Sequence, residues 1–323
     1  MTRASTDLTL PRGDDDFQRE WNNALDPITT VAPGTVVRFE CPDAREGQFS
    51  LDTDLADVKA MDHDSGMPLV GPVAIDGLEA GDVLAVEILD VDHGDVGWTL
   101  FYPGERGFGL LPEEFPDWGL HVWDLSAGVG EFVDGIEIPL APFPGTIGLT
   151  PGEPGSHSTT PPRAVGGNVD TKYLTAGSTL YLPVEVDGGL FAVGDGHAAQ
   201  GDGEVCGGAI ETAVDVTCRF ERRRDLSLDQ PQFRSGERPD YPAGPGRPSP
   251  VPTYATTGVA DDLMTASKRA VSGMVDHLHA ERDLSREKAY ILCSVAGDLK
   301  INEIVDEPNY VVSLHLREDI FPE

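Results

Sequence analysis

The sequence predicts a mainly β protein, a β-sandwich or jelly-roll-like double sheet with a smaller α/β segment at its C-terminal end. The first reason is the density of turn residues: 37 glycines and 26 prolines are scattered through the chain, which is typical of short strands joined by turns. The second is the alternation of apolar and polar side chains over residues 214–220 (VDVTCRF), the period-two pattern of a strand with one buried face. Apolar residues recur convincingly at helical spacing only after residue 260.

Further strands are predicted where aliphatic and β-branched residues cluster between turns. They lie within residues 35–40, 70–77, 83–91, 136–149 and 309–316. Residues 178–195 are predicted to form a hairpin with Asp187-Gly188 at its tip, because Asp-Gly can supply the positive φ angles of a type I′ turn. Residues 97–119 are rich in glycine, proline and aromatic rings, which indicates an ordered loop packed by its rings.

Two helices are predicted between residues 261 and 297. The acidic pair Asp261-Asp262 favours the start of the first, Ser285 is the expected N-cap of the second, and Gly297 is its expected end. The apolar stripe of the first helix consists of Leu263, Met264, Ala270, Val271, Met274, Val275 and Leu278. We therefore expect a β-rich domain over 1–225 that carries the site, a Pro/Gly/Arg-rich loop or linker over 226–256, and a helical-plus-strand segment over 257–323 packed on the first domain.

The charge balance is strongly acidic. Acidic residues number 56 against 23 basic ones, for a formal net charge of −33, and five of the basic residues are lysines. Because excess like charge destabilises a compact state unless salt screens it, this composition favours a halophilic cell. It argues against nucleic acid and anionic membranes as partners. Without a recognisable signal peptide, a long apolar run or a regular cysteine spacing, we expect a cytoplasmic protein.

The most unusual segment covers residues 166–211. Within it, residues 194–204 are predicted to be a glycine-rich turn that carries five polar side chains, Asp195, His197, Gln200, Asp202 and Glu204. Carboxylates and an imidazole on such a turn are ligands suited to Zn²⁺, Mn²⁺ or Ca²⁺, although an acidic chain also has plain loops of this kind. The spacing matches neither a Walker loop, a dinucleotide fingerprint, an EF-hand nor HExxH, and no GxSxG elbow is present.

The segment resembles the central block of the acetamidase/formamidase family, with its GGN-x-D stretch followed by GD-x-HA-x-QGDGE and AIE. The matching positions are Gly166, Gly167, Asn168, Asp170, Gly194, Asp195, His197, Ala198, Gln200, Gly201, Asp202, Gly203, Glu204, Ala209, Ile210 and Glu211. Shorter similarities lie at Gly71-Pro72, at residues 79–82 and 142–148, and at Val305-Asp306. One departure is Met67, where the family often has a histidine; nearby His63 is interpreted as a surface residue.

The resemblance implies hydrolysis of a short linear amide, such as formamide or acetamide, to a carboxylate and ammonia. From residue chemistry we assign Asp170, His197 and Asp202 as metal ligands, with Zn²⁺ as the first candidate and Ca²⁺, Mg²⁺ or Mn²⁺ as alternatives. The remaining assignments are Glu204 as the general base, Glu211 as a catalytic residue that shares either role, and Asn168 and Gln200 as substrate-binding residues. A covalent route through Cys206 is the less favoured mechanism.

Two other functions remain open. One is a non-catalytic β-sandwich module that binds a metal ion or a carbohydrate, because a fold does not determine a function. The other is an enzyme that cleaves a different C–N bond, in a cyclic imide or a longer amide. The aromatic residues between 98 and 123 lead us to expect a homo-oligomer.

Overall fold

The computed structural model describes residues 4–13, 17–61, 63, 67–103, 109–236 and 251–321. Most of the described strands belong to one 17-stranded sheet, which is antiparallel except for two parallel pairs. The prediction of a mainly β protein is therefore confirmed. Among the described residues, no helix is both long and apolar enough to cross a membrane.

The strands are β1 Leu8–Leu10, β2 Phe17–Gln18, β3 Glu20–Trp21, β4 Thr29–Val31, β5 Val36–Cys41, β6 Leu69–Ile75, β7 Val83–Phe101, β8 Gly119–Asp124, β9 Val129–Glu131, β10 Glu137–Pro139, β11 Phe143–Gly148, β12 His157–Ser158, β13 Pro162–Arg163, β14 Gly166–Asn168, β15 Thr179–Pro183, β16 Phe191–Ala199, β17 Ile210–Arg223, β18 Gln232–Arg234, β19 Thr253–Ala260, β20 Asp298–Glu303 and β21 Tyr310–Arg317. The α-helices are α1 Leu55–Ala60, α2 Leu263–Arg282 and α3 Arg286–Ala296.

The main core lies along β17, which pairs with β7 on one side and with β5 on the other. The predicted buried face of β17 is confirmed, because Val214, Val216, Cys218 and Phe220 are fully buried. On the opposite face Arg219 is exposed, whereas Thr217 is also buried. The Phe220 ring lies 5.0 Å from that of Phe191 in β16 and 6.3 Å from that of Phe39 in β5, measured between ring centroids. Aromatic packing therefore joins three neighbouring strands at the centre of the sheet.

The predicted hairpin over residues 178–195 is wrong. A turn is present, with Gly188 at φ +79° and Gly189 at φ +71°, but the flanking strands have different partners. Strand β15 pairs with β7 and β18, whereas β16 pairs with β6, β11 and β17. The turn itself bonds to another segment, since the Gly188 N–H donates to the Leu78 carbonyl and its own carbonyl accepts from Ile75 N–H. A local turn signal cannot specify which strand is the partner.

The predicted loop over residues 97–119 is wrong at its N-terminal end, because β7 continues through Phe101 and pairs with β8. The predicted ring packing is present within the part that the structure describes. Trp98, for example, stacks on Phe49 with a centroid separation of 4.4 Å. Phe108, another aromatic residue of the 97–119 segment, lies outside the described residues.

The two predicted helices are confirmed with their caps. The Asp262 carboxylate accepts a hydrogen bond from Thr265 N–H at the start of α2, and the Ser285 hydroxyl accepts one from Lys288 N–H at the start of α3. Gly297 is the C-cap of α3. Met264 does not belong to the buried stripe of α2, because 62% of its surface is exposed.

The region around the predicted linker is partly strand. Strands β18 and β19 pair with each other, β18 also pairs with β15, and β19 pairs with β21, under which α2 packs. The rest of the predicted loop, residues 237–250, lies outside the described residues. The division into segments 1–225, 226–256 and 257–323 stays a prediction.

Candidate functional site

Six buried ionisable side chains from distant parts of the chain meet in one place, which we call the carboxylate cluster. Its members are Asp170, Asp195, His197, Glu204, Glu211 and Asp306. Three overlapping sets of three residues can each offer ligand atoms that lie within 4.8 Å of one another. The sets are Asp170 with Asp195 and His197, His197 with Glu204 and Glu211, and Asp170 with Glu204 and Asp306.

Strand pairing brings these residues together. Strand β16 carries Asp195 and His197 between β11 and β17, and its register sets His197 directly opposite Glu211, near the start of β17. Glu204 lies in the turn between those two strands, and Asp306 lies in the connection from β20 to β21. Asp170 follows β14, and β14 pairs with β11, the strand that also pairs with β16.

The glycines at 194 and 196 serve close strand packing. A Cβ atom on Gly194 would lie 2.6 Å from the Pro68 carbonyl oxygen, and one on Gly196 would lie 2.4 Å from a Val214 methyl carbon. The predicted turn over 194–204 is therefore wrong in its first half, because β16 is a fully buried strand through residue 199. Only the residues of this segment that follow Ala199 lie in a turn.

The orientation of His197 is determined by an amide. The Gln200 Nε2 group donates to the Asp170 carbonyl oxygen at 2.8 Å, so its Oε1 faces His197 Nδ1 at 2.9 Å. An amide oxygen can only accept, and Nδ1 therefore carries a proton. The other ring nitrogen, Nε2, lies 3.2 Å from Glu211 Oε1 and 3.6 Å from Asp195 Oδ1. A histidine held in this way by its Nδ1–H is prepared to bind a metal ion through Nε2.

Burial and mutual repulsion make these carboxylates reluctant to ionise together. Burial raises the pKa of Asp170, Glu204 and Glu211, and neighbouring carboxylates raise it further. Burial also raises the pKa of Asp306, to about 7. Both Asp170 oxygens and Glu211 Oε2 are buried without a hydrogen-bond donor. Among the described ion pairs, none joins a lysine or arginine to a carboxylate of the cluster.

The pKa values of Asp195 and His197 shift in opposite directions. Burial would raise the pKa of Asp195, but His197 and the Thr146 hydroxyl, 3.2 Å away, lower it overall. Burial would lower the pKa of His197, yet Glu211 and Asp195 raise it well above its usual value. One imidazolium cannot balance five carboxylates. Because buried charge requires compensation, this residue set is suited to a divalent cation, which carboxylate oxygens and an imidazole can hold.

Four of the seven predicted site residues, Asp170, His197, Glu204 and Glu211, belong to the cluster. Asn168 borders it, since its side-chain amide donates to Asp306 and accepts from the Thr146 hydroxyl at 2.5 Å.

The other two predicted residues have protein partners. The Gln200 amide bonds to His197 and Asp170, as described above. Asp202 is not brought to the cluster. Its Oδ2 lies 3.0 Å from Lys172 Nζ and accepts a hydrogen bond from the Tyr173 hydroxyl at 2.8 Å.

Two cluster residues were absent from the sequence-based assignment. Asp195 lies between the two glycines of the same motif, so its position in GD-x-H was an available signal. Asp306 is separated from Asp170 by more than a hundred residues, and the short Val305-Asp306 similarity was the sole sequence hint.

Cys206 and His63, the two further residues considered from the sequence, are not members of the carboxylate cluster. Burial raises the pKa of the Cys206 thiol, and the charge of Glu204 raises it further, which disfavours the thiolate that a nucleophile requires. The His63 ring contacts the Val58 carbonyl at 2.7 Å and the Tyr102 hydroxyl at 3.3 Å.

Comparisons with known proteins place the chain among amide hydrolases in sequence and fold. The sequence profile of the Acetamidase/Formamidase family matches residues 6–157 and 153–323. The chain is 27% identical to a formamidase of Methylophilus methylotrophus over 95% of this chain and 90% of that protein. It is similar to the crystal structure of an acetamidase from Bacillus halodurans, with a TM-score of 0.83, 30% identity, and coverage of 95% of this chain and 97% of that one. A gamma lactamase from Delftia acidovorans is also similar, with a TM-score of 0.68, 26% identity, and coverage of 98% and 94%.

Proposed function

The chain belongs to the acetamidase/formamidase family, and from this premise we propose that the carboxylate cluster is the active site of an amidase. The enzyme hydrolyses the C–N bond of short linear amides of the formamide or acetamide type, giving a carboxylate and ammonia. The observation that carries the proposal is the buried set of carboxylates around His197, several of whose oxygens have no donor. Perturbed ionisable groups that converge in this way are characteristic of catalytic sites.

The residues of the cluster suit a divalent metal ion. Asp170 and His197 are its first proposed ligands, and Asp195 adds a third ligand atom within the same 4.8 Å group. The imidazole makes Zn²⁺ the first candidate, and the excess of oxygen ligands makes Mn²⁺, Ca²⁺ and Mg²⁺ the alternatives. When bound, such an ion supplies a water of lowered pKa and polarises the amide carbonyl.

Glu204 is the proposed general base. Burial raises the pKa of its carboxylate, and a divalent ion held beside it would favour the ionised form. In that form Glu204 would accept a proton from water and later return it to the departing nitrogen. Glu211 Oε1 lies 3.2 Å from His197 Nε2, beside the proposed metal position, and Glu211 is proposed to share the catalytic proton transfer. Asn168 accepts a hydrogen bond from the Thr146 hydroxyl and donates one to Asp306, so it keeps the Asp306 carboxylate in place.

Ammonia release from a panel of C1–C4 amides tests the activity. We expect turnover of at least one short amide, and a fall of kcat by about 10²-fold or more for Glu204→Gln. Glu221→Gln is the matched control, because Glu221 is an exposed glutamate on β17, the strand that also carries Glu211. A wild-type enzyme that releases no ammonia from any linear amide and opens no lactam ring would favour the non-catalytic binding module instead.

Chelator dialysis with metal analysis tests the metal separately. We expect activity to disappear with the bound ion and to return on adding back one of the four candidate ions. If fully demetallated protein keeps its rate, the metal proposal fails while the amidase assignment stands.

A cyclic amide is the second candidate substrate class. The similarity to the gamma lactamase of Delftia acidovorans, which extends over 98% of this chain, favours including it. Ring opening of a γ-lactam by the purified enzyme, compared with acetamide turnover by kcat/KM, decides between the two classes.

The proposal includes a cytoplasmic homo-oligomer. All four cysteines are unpaired in the structure, which fits a reducing compartment. Light scattering tests the oligomeric state, and a mass equal to the 34.6 kDa chain would refute it.

A further inference from the structure

A buried lysine lies beside the carboxylate cluster without belonging to it. Lys172 is only 5% exposed and follows Asp170 by two residues. Its Nζ lies 3.0 Å from Oδ2 of Asp202, which precedes Glu204 by two residues. One ion pair thus connects the segment that carries Asp170 to the turn that carries Glu204.

We propose that the Lys172–Asp202 ion pair is a positioning device that holds the turn of Glu204 against the segment of Asp170. We call this pair the clamp. The inference rests on the proposed function, in which Glu204 acts on water near Asp170. In this proposal Asp202 belongs to the polar motif because it pairs with Lys172, and not because it binds a metal ion.

Both connected segments are held in conformations that need support. Asp170 has φ +38° and Glu204 has φ +46°, the left-handed region that residues with a Cβ rarely adopt. Such angles persist only where surrounding contacts determine them. The clamp supplies a contact between the two segments, and the Tyr173 hydroxyl supports it by donating to the same Asp202 oxygen at 2.8 Å.

The turn is also joined to the third segment of the cluster. Gly203 N–H donates to the Asn302 carbonyl at 2.9 Å, and Gly203 forms a parallel bridge with Glu303. The Glu303 carboxylate in turn accepts from Asp306 N–H at 2.5 Å. The turn therefore links the segments of Asp170 and Asp306, and the clamp is its charged connection. Lys172 and Asp202 pair with each other and not with a carboxylate of the cluster, so their proposed role is positioning.

Four variants test the clamp: Asp202→Asn, Lys172→Met, Lys172→Arg and the double variant of the first two. A displacement of the base by about 1 Å costs about 10²-fold in rate, so we expect kcat to fall by that order for Asp202→Asn and Lys172→Met. KM should change by less than about threefold, because substrate binding is not the function affected. Lys172→Arg should keep most of the rate, and the double variant should be no slower than either single one.

Hydrogen exchange provides a readout that does not depend on activity. Amides of residues 201–207 should exchange about tenfold faster or more in Asp202→Asn, while the core strands keep their protection. Asp319→Asn is the control, since it removes an exposed ion pair with Arg317 near the end of the chain. It should alter neither kcat nor exchange in the turn.

Wild-type kcat and unchanged exchange in Asp202→Asn would overturn the proposal, and so would additive effects in the double variant. If the charge variants do not fold, Tyr173→Phe removes one donor to the same oxygen, and unchanged exchange of the turn in that variant is equally decisive. If wild-type enzyme hydrolyses no amide, the proposed function fails, but the exchange comparison still decides the clamp.

Discussion

Replacing Gly145 with alanine is the sharpest test of the cluster geometry. A Cβ atom there would lie 2.5 Å from Asp170 Oδ1 and 2.6 Å from His197 Cε1, whereas ordinary contacts begin near 3.4 Å. The same Cβ atom would lie 2.9 Å from the Asp195 carbonyl oxygen. The backbone of Gly145 is outside the left-handed region, so alanine is strained by these contacts and not by its φ angle. Both side chains must retreat by about 1 Å, a displacement that costs about 10²-fold in rate, or about 2.7 kcal/mol of transition-state stabilisation.

The assay is ammonia release under conditions in which the variant is shown by circular dichroism to be folded. The control is Gly273→Ala in the interior of α2, where the new Cβ would find Thr256 Cβ at an ordinary 3.4 Å. That control should keep its activity and gain up to about 1 kcal/mol of stability, since alanine is the better helix former. A folded Gly145→Ala enzyme with wild-type kcat/KM would refute the tight arrangement around Asp170 and His197.

Three further predictions concern stability. Phe191→Ala should lower the free energy of unfolding by about 3–5 kcal/mol in urea titrations, because Phe191 is fully buried between two other rings; a loss below about 1 kcal/mol would contradict the packing. Burial and the charge of Arg282 lower the pKa of His277 from 6.5 to about 4. Between these two pKa values the unfolded chain binds more protons than the folded one, so the free energy of unfolding falls as the pH is lowered through this range. Between pH 7 and pH 5 the free energy of unfolding should therefore fall by about 2 kcal/mol less in His277→Gln than in the wild type. An equal fall in both proteins would show that His277 does not cause this pH dependence. Raising NaCl from 0.1 to 2 M should raise Tm by several degrees, because it screens the repulsion from a net charge of −33, and a constant or falling Tm would contradict the halophilic interpretation.

Local signals in the sequence predicted local structure well. The period-two pattern of 214–220 became the buried face of β17, and Asp262 and Ser285 cap the helices that they were expected to cap. These features depend on neighbours within a few residues, so the sequence contains all the information they require.

Local signals gave a wrong prediction at Gly194 and Gly196, which lie in a closely packed strand and not in a turn. Glycines among polar residues are typical of turns, but here they allow β16 to approach Pro68 and Val214. The distinction depends on atoms far away in sequence, which no local pattern reports.

The sequence by itself determined the class of fold, the helix ends and the short motif that contains most of the carboxylate cluster. Only the tertiary structure decided that β15 and β16 have different partners, that Asp306 joins Asp170, and that Asp202 pairs with Lys172 instead of lying in the cluster. The physical reason is that strand partners and buried charges are selected by the packing of the whole sheet. Residues more than a hundred positions apart become neighbours there, and their shared environment determines which carboxylates must be compensated.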